Sequence, residues 1–590
     1  MTVAEAEPRT SAARLSESSK PLPEQDFPPT PEEGLERAVQ DLVAARGRWA
    51  RRSISERIRD LNTIAEAFGE VDTEWVQACR QAEGITDQPE FGGEEWLAGP
   101  YAVLRNIRLL RRALQDIRRS GVPKPPGRVR TLPNGQVSAQ VFPYDLFDRV
   151  FFPGVTGEVW MEPGVTEETL AETQALAYQG DPGEGGVALV LGAGNVSSIG
   201  PMDALYKLFV DNRVVLYKTH PVNAYLGPLL EKGFRSLIDE GFFRLVYGDV
   251  AEGSFLVSHP QVDEIHITGS DKTVDAIVFG PGEEGRRRKE ERRPRMTKPI
   301  SSELGNVSPV IVVPGPWSDG ELLYQAENIV SMLTNNAGFN CNATRVVIQH
   351  AGWDRRHELV DRMGDFFAKA PTRDAWYPGA KERFDRFLAQ HPDARLYGGR
   401  SDERLPWAFA AGIDPSEGDD ICFQTEAFCS FTSETALPAK DTAEFLRKAV
   451  ELCNDTIWGT LNVTLIVHPE TVTDPELGPL VERAIADLRY GTVSVNHWAA
   501  VGYALASTPW GAYPGHDLYD IRSGSGVVHN TQMFSRAQKS VVRSPFRAWP
   551  KPPWFVTHRT SRELSHQLAQ FEADRSLARL PAITWFALRG

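Results

Sequence analysis

Cysteine is scarce: positions 79, 341, 422, 429 and 453 hold all five in a chain of 590 residues. Their number is odd, no two form a CxxC pair, and no His–Cys cluster lies along the sequence. Neither a disulfide framework nor a structural metal is therefore expected, and a reduced, cytoplasmic setting is. Long apolar runs are also missing. Nothing approaches the ~18 apolar residues of a membrane span, and no signal-peptide core is present, which argues against membrane insertion and secretion. Positive charge is in deficit, with 64 Lys and Arg against 79 Asp and Glu and a formal net charge of -15. That balance argues against general binding to nucleic acid or to anionic membranes.

What is present reads as a globular enzyme-sized chain. Hydrophobic residues make up 41%, an ordinary share, and the length calls for two or more domains. Residues 1–33 are rich in Ser, Pro and Glu without apolar periodicity, as in a mobile tail. From there to about Arg119 apolar residues recur at spacings of three and four, as in "LERAVQDLVAARGRWA", which predicts helices. Residues 137–162 turn β-rich. "GVALVLGAG", "RVVLYK", "FRLVYGD" and "VDEIHITGS" then alternate with helical stretches near 201–209 and 224–239, the pattern of βαβ units and a parallel sheet. A charged insert at 283–299, "EEGRRRKEERRPRMTKP", mixes both signs and reads as a solvated loop rather than a phosphate-binding patch. The α/β alternation resumes to about Asn496. A closing tail carries "FRAWPKPPWF" and an amphipathic helix near 561–580, a segment suited to packing on a neighbouring domain or subunit.

Chemistry concentrates in a few places. Cys341 lies in "TNNAGFNCNATRVVI", between Asn340 and Asn342 in a small, polar, Gly-containing turn. Structural cysteines usually sit inside apolar patterns, so this setting suits a thiol that is meant to be reached. "ALVLGAGNVSSIGP" is a strand, a Gly turn and a helix start, the arrangement that binds a nucleotide or an oxyanion, and the Asn195 amide there is a candidate donor. Lys218 ends the next strand, where α/β ligands bind, although a surface lysine is its bland reading. "HITGS" (266–270) ends another strand in a turn, and "SSELGNVSPVIVV" (301–313) sets Glu303 just before Gly305 and a strand.

In this order the segments resemble the aldehyde dehydrogenase superfamily. "GFNC" 338–341 looks like its Gly-x-x-Cys nucleophile motif, and "ELGN" 303–306 is similar to its "ELGG" glutamate segment. "TEAFCSF" (425–431), "YGTVSVNHW" (490–498) and "TPWGAYPGH" (508–516) look like three further family boxes. The resemblance implies a Rossmann-like cofactor domain (34–300, with the helical N-terminal part), an α/β catalytic domain (301–495) and a segment 496–590 returning to the cofactor domain and interface. It also implies a β-hairpin oligomerisation arm within 137–162. Cys341 would be the nucleophile, Glu303 the base and Asn195 the oxyanion donor. Lys218, Gly248, Gly269, Ser270, Glu426 and Phe428 would hold NAD or NADP. The implied reaction oxidises a small-molecule aldehyde to a carboxylic acid through a cysteine thiohemiacetal and thioester. A metal is not implied, and a homodimer built on the arm is.

The sequence also departs from the family pattern. Asn306 replaces the second Gly of "ELGG", "GAGN" replaces the common "PWN", and 38 positions separate Glu303 from Cys341, a few more than usual. Two other functions share these residues: a CoA-acylating dehydrogenase or acyl-CoA reductase, and a catalytically silent homologue kept for binding. A carboxylate at Glu303 favours hydrolysis over transfer to CoA, and retention of the whole set argues against silence. For the cofactor, the third position beyond Lys218 is Pro221, where many NAD-preferring relatives carry a Glu that repels the 2′-phosphate of NADP. Use of both cofactors is therefore expected.

Overall fold

The apolar, β-branched runs between helices assemble into two sheets, each buried on both faces. This is why their strands read as continuous hydrophobic stretches rather than alternating ones. The computed structural model describes residues 27–401 and 403–590.

The first sheet has six strands. Val187–Leu191 lies between Val214–Lys218 and Glu264–Gly269; Phe243–Val246 flanks the former, and Ile300–Leu304 followed by Gly524–Ser525 flanks the latter. All neighbours but the last pair are parallel, and helices cover both faces. Ile300–Leu304 pairs with Glu264–Gly269, so the first sheet extends as far as Leu304.

The second sheet is eleven-stranded. Its parallel middle holds Thr492–Val495, Asn462–Ile466, Pro309–Val312, Val346–His350, Phe431–Leu437 and Trp407–Ile413. The expected arm is present as the antiparallel pair Val137–Phe142 and Thr156–Met161. Its partner differs from expectation. Thr156–Met161 pairs with Ala537–Arg543 of the same chain, which in turn runs parallel to Thr492–Val495. The arm therefore extends its own catalytic sheet, and its outer edge is the short strand Val129–Thr131.

Three other expectations shift. Of the tail 1–33, residues 1–26 lie outside the described residues. The rest is ordered: Phe27 stacks on Tyr247, Thr30 N donates to Tyr247 O at 3.0 Å, and a helix begins at Glu32. The insert 283–299 is not a loop throughout, because Gly282–Glu290 is helical. Glu283 and Glu284 stand at its positive end and Arg287, Arg288 and Lys289 at its negative end, with Arg288 paired to Glu284 at 3.0 Å. The C-terminal tail packs within its own chain. Glu572, in the helix Ser561–Asp574, accepts from the fully buried Arg105 at 2.9 Å, and Arg105 also pairs with Asp148 at 2.8 Å. Phe571 packs against Phe147 and Phe151 beside the arm. Among the described residues, no helix is long and apolar enough to cross a membrane.

Candidate active site

The turn that carries Cys341 hangs between the buried helix Asp319–Thr334 and the buried strand Val346–His350. The backbone there is held in an unfavourable form: Asn336, Ala337 and Gly338 take φ of 50°, 50° and 78° in succession. Left-handed backbone costs a non-glycine residue about 1–2 kcal/mol, so surrounding contacts must hold it. They are visible. Asn336 N donates to Glu94 Oε2 at 3.2 Å, and Asn336 Nδ2 to Asn195 O at 2.8 Å. The fully enclosed Arg345 guanidinium donates to the carbonyls of Gly338 and Cys429. Gly338 has no room for a side chain, since a Cβ would stand 2.5 Å from Cys429 O. Beyond the bend, the Cys341 carbonyl accepts from Ser308 Oγ at 3.0 Å and Asn462 Nδ2 at 3.1 Å.

These anchors present Cys341 to a cavity of about 40 Å³ lined by Glu303, Thr268, Asn342, Tyr503 and Trp510 among others. Glu303 comes from the first sheet and Cys341 from the turn before Val346–His350 of the second, so the pocket lies between the two sheets. Trp510 Nε1 donates to Glu303 Oε1 at 3.1 Å. Burial pushes the Glu303 carboxyl up to about 8 despite hydrogen bonds from Trp510 and Cys341. Burial likewise raises the Cys341 thiol well above its ordinary range, with the Glu303 and Glu426 carboxylates adding to the effect. At neutral pH both groups rest mainly in their neutral forms. The other four cysteines are buried, and all five are free.

Asn195 is placed differently from its expected role. Its Nδ2 donates to Phe339 O at 2.9 Å, and its carbonyl accepts from Asn336, so it supports the Cys341 turn from behind. Asn342 lines the pocket itself, and its Oδ1 is buried without a hydrogen-bond partner.

The expected cofactor residues gather at the carboxyl ends of the first sheet's strands. Lys218 is 7% exposed, donates only to the Thr219 carbonyl at 3.3 Å, and has its pKa lowered by burial while Asp249 and Glu252 oppose that effect. Thr219 Oγ1 beside it is buried without a partner. Gly248 follows the strand Phe243–Val246, and the exposed Gly269 and Ser270 end Glu264–Gly269, with Ser270 capping the next helix. Glu426 lies across Gly305, where a Cβ would meet its Oε2 at 2.0 Å; its Oε1 is orphaned, and burial pushes its pKa up to about 7. Phe428, with φ of 42°, packs 5.1 Å from Tyr377. The structure thus brings Glu303 and Cys341 together. It sets Lys218, Gly248, Gly269 and Ser270 along the same strand-end face and Glu426 against the loop after Glu303.

Sequence reasoning missed several supports. Arg345 follows the Cys341 turn at once but reads as an ordinary charged residue. Asn306 is fully buried, donating to Asn462 O at 2.8 Å, which explains a side chain where the family carries Gly. His391, 29 positions before Asp420, brings its donor atom within 4.8 Å of those of Asp420 and Cys422, a set able to hold a cation. In the structure the pair His391 Nε2–Asp420 Oδ1 stands at 3.1 Å, and the same oxygen accepts from Cys422 N at 2.7 Å.

Comparison with known proteins agrees with this layout. Residues 177–381 match the aldehyde dehydrogenase family. The chain is 28% identical over 316 residues to betaine aldehyde dehydrogenase 1 of Oryza sativa subsp. japonica, covering 51% of this chain and 55% of that protein. It is 24% identical over 317 residues to 4-trimethylaminobutyraldehyde dehydrogenase of Oryzias latipes, covering 51% and 56%. The chain thus spans about half the length of the curated relatives it matches. Among solved structures it superposes on the NAD-dependent aldehyde dehydrogenase of Sinorhizobium meliloti with TM-score 0.58 and 18% identity over 89% of each chain. For the NADP-dependent glyceraldehyde-3-phosphate dehydrogenase of Bacillus halodurans C-125 the TM-score is 0.57 and the identity 18%, over 87% of this chain and 91% of that one. At such identities these likenesses are of fold alone. Residues 177–381 thus resemble the aldehyde dehydrogenase family in sequence, and the chain shares the fold of the solved aldehyde dehydrogenases.

Proposed function

We propose that the chain oxidises an aldehyde to a carboxylic acid with NAD or NADP, through a thioester on Cys341. The observation that carries this reading is the pocket in which Cys341 and Glu303 face each other among apolar side chains such as Val196, Ile199, Trp510 and Val528. The Cys341 thiol loses its proton to water, and the thiolate attacks the aldehyde carbon. The resulting alkoxide needs N–H donors, which the Cys341 backbone and the Asn342 amide are near enough to supply. The thiohemiacetal loses a hydride to become the thioester, and a nicotinamide cofactor held by Lys218 and Glu426 would supply the hydride acceptor. Glu303 then takes a proton from water, the C–O bond forms and the C–S bond breaks.

The cofactor residues fit such a ligand. Lys218, the orphaned Thr219 Oγ1 and the orphaned Glu426 Oε1 are buried polar groups awaiting partners of the kind ribose hydroxyls provide. Glu303 inside the pocket supports water rather than CoA as the acyl acceptor. Absorbance at 340 nm with a panel of aldehydes should rise without CoA, and a rise that requires CoA would replace hydrolysis with acyl transfer.

Cofactor choice follows from the residues after Lys218. Pro221 offers no carboxylate against a 2′-phosphate. His220, whose pKa burial and Lys218 lower to about 4, is neutral and adds no cation. Both cofactors should therefore work, with kcat/KM for NAD within about a hundredfold of that for NADP. A larger preference would assign the exclusion to Asp249 and Glu252 beside Lys218.

Assembly as a homodimer loses its sheet-edge rationale, because the arm is paired in cis. Another surface supports it: Leu146, Val150, Leu577, Trp585 and Leu588 stay exposed at 68%, 59%, 63%, 58% and 54% around one C-terminal cluster. Sedimentation at micromolar concentration should give about twice 65.5 kDa. A mass of one chain would show that the arm's internal pairing leaves no mate to be sought.

A further inference from the structure

Each turnover of the proposed reaction leaves on Glu303 the proton taken from water when the thioester is hydrolysed. Glu303 sits deep, so this proton needs a way out. The register of two neighbouring strands supplies the frame: His266 pairs with Ser301, and Thr268 pairs with Glu303. In each strand the two residues are two positions apart and so share one face. Asp203, from the helix Ile199–Phe209, reaches over both rungs. Thr268 Oγ1 donates to Asp203 Oδ2 at 3.0 Å, and Asp203 Oδ2 lies 3.4 Å from His266 Nε2. His266 Nδ1 meets Ser301 Oγ at 2.9 Å, and Thr268 Oγ1 also lies 3.5 Å from His266 Nε2.

The two ends of this chain open into different cavities. Thr268 lines the 40 Å³ pocket with Glu303 and Cys341, a volume sufficient for a water. Ser301 lines a cavity of about 400 Å³ at the opposite ends of the strands. That cavity is polar: Lys207 pairs with Glu264 at 2.9 Å and Asp211 at 2.8 Å, and Arg213 pairs with Glu264 at 3.1 Å. Tyr217 and Tyr503 are the other titratable groups near Asp203. Every member of the chain, whether hydroxyl, imidazole or carboxyl, can both give and take a proton, as an ammonium or a guanidinium cannot. His266 and Asp203 are 2% and 1% exposed.

We propose that Thr268, Asp203, His266 and Ser301 form a proton relay that discharges Glu303 into the 400 Å³ cavity at the opposite ends of the strands. In each passage a proton leaves Glu303 for a water in the pocket, moves through the Thr268 hydroxyl to Asp203 and His266, and exits at Ser301 as the chain resets. No oxidant or second substrate is involved. The relay takes Cys341 and Glu303 in the roles given above, but its test needs neither cofactor nor aldehyde oxidation.

p-Nitrophenyl acetate acylates a reactive thiol and leaves a thioester that only water must clear. Wild type should give a burst of p-nitrophenolate, then steady deacylation, and Cys341→Ala should give no burst. His266→Ala should keep the burst while deacylating at least about tenfold more slowly. Imidazole, admitted by the large cavity, should restore the rate. Combined with Glu303→Gln, His266→Ala should add no further slowing, the mark of groups acting in one path. Ser301→Ala, a mild change at the cavity wall, should slow deacylation threefold or more even if His266→Ala fails to fold. Deacylation at the wild-type rate in either folded variant overturns the relay. So does slowed deacylation that imidazole leaves unchanged, which would make His266 a support for Glu303 only. Failure of the wild type to acylate at Cys341 would overturn the roles beneath the relay. That result is distinct from acylation without aldehyde oxidation, which would overturn the dehydrogenase reading alone.

Discussion

Cys341→Ala is expected to lower NAD(P)-dependent aldehyde oxidation below about a hundredth of wild type, because no neighbouring group can form the thioester. Cys422, Cys429 and Cys453, the other cysteines of the catalytic half, are buried in the apolar core around the sheet, and burial raises each thiol. The fold should be indifferent to the change. The turn is anchored through the Cys341 carbonyl, by Ser308 and Asn462, and through Asn336, Arg345 and Gly338, none of which uses the sulfur. Loss of one half-buried sulfur costs on the order of 1 kcal/mol or less against a chain of this size. Cofactor binding, read by tryptophan fluorescence, should persist, since Lys218 and Glu426 are untouched. Turnover above a hundredth of wild type would sink Cys341 as nucleophile. Lost activity with a lost melting transition would call for Cys341→Ser, which keeps the shape.

That Cys341 and Glu303 share one pocket was legible in the sequence for a physical reason, because their settings are local: a polar, Gly-containing loop before an apolar run, and a carboxylate before a Gly and a strand. The parallel sheet was legible in the same way, since strands buried on both faces must be apolar throughout. What was hidden depends on pairing across long separations. That Trp510 donates to Glu303 follows from two segments meeting 207 positions apart. Asn195 has the same composition whether it faces the substrate or the back of the turn, and only the fold directs its amide to Phe339. The arm's β-rich residues showed that it needed a partner but not which one, and Ala537–Arg543 fills that place from the same chain. The helix Gly282–Glu290 is a different case. Its "EEGRRRKE" places acids three and four positions before bases, a helix signal that the high charge density masked.

Glu303→Gln should separate the two halves of the reaction. The amide keeps the acceptor oxygen for Trp510 Nε1 and the shape of the side chain, and loses only the ability to take a proton. Deprotonation of water in the buried pocket then has no base, so hydrolysis of the thioester should slow by about a hundredfold or more. Hydride transfer, once the thiolate has attacked, does not use the carboxyl. A burst of NAD(P)H close to one per active site followed by a slow steady state is the expected trace. The pH dependence gives a second reading. Burial raises the carboxyl to about 8, so the base form is the minor one at neutral pH and grows as pH rises. Steady-state kcat in wild type should therefore climb about tenfold per pH unit well below 8 and level off above it, while the Gln variant stays flat. Stability should move the opposite way. The neutral carboxyl suits the buried pocket, so its contribution is whole below the unfolded value and is lost as pH rises through about 8; the Gln variant lacks that loss. Equal slowing of burst and steady state would make Glu303 the activator of the thiol instead. An unchanged trace would place the base elsewhere in the pocket, where Tyr503 is the remaining titratable side chain, and burial holds its hydroxyl protonated.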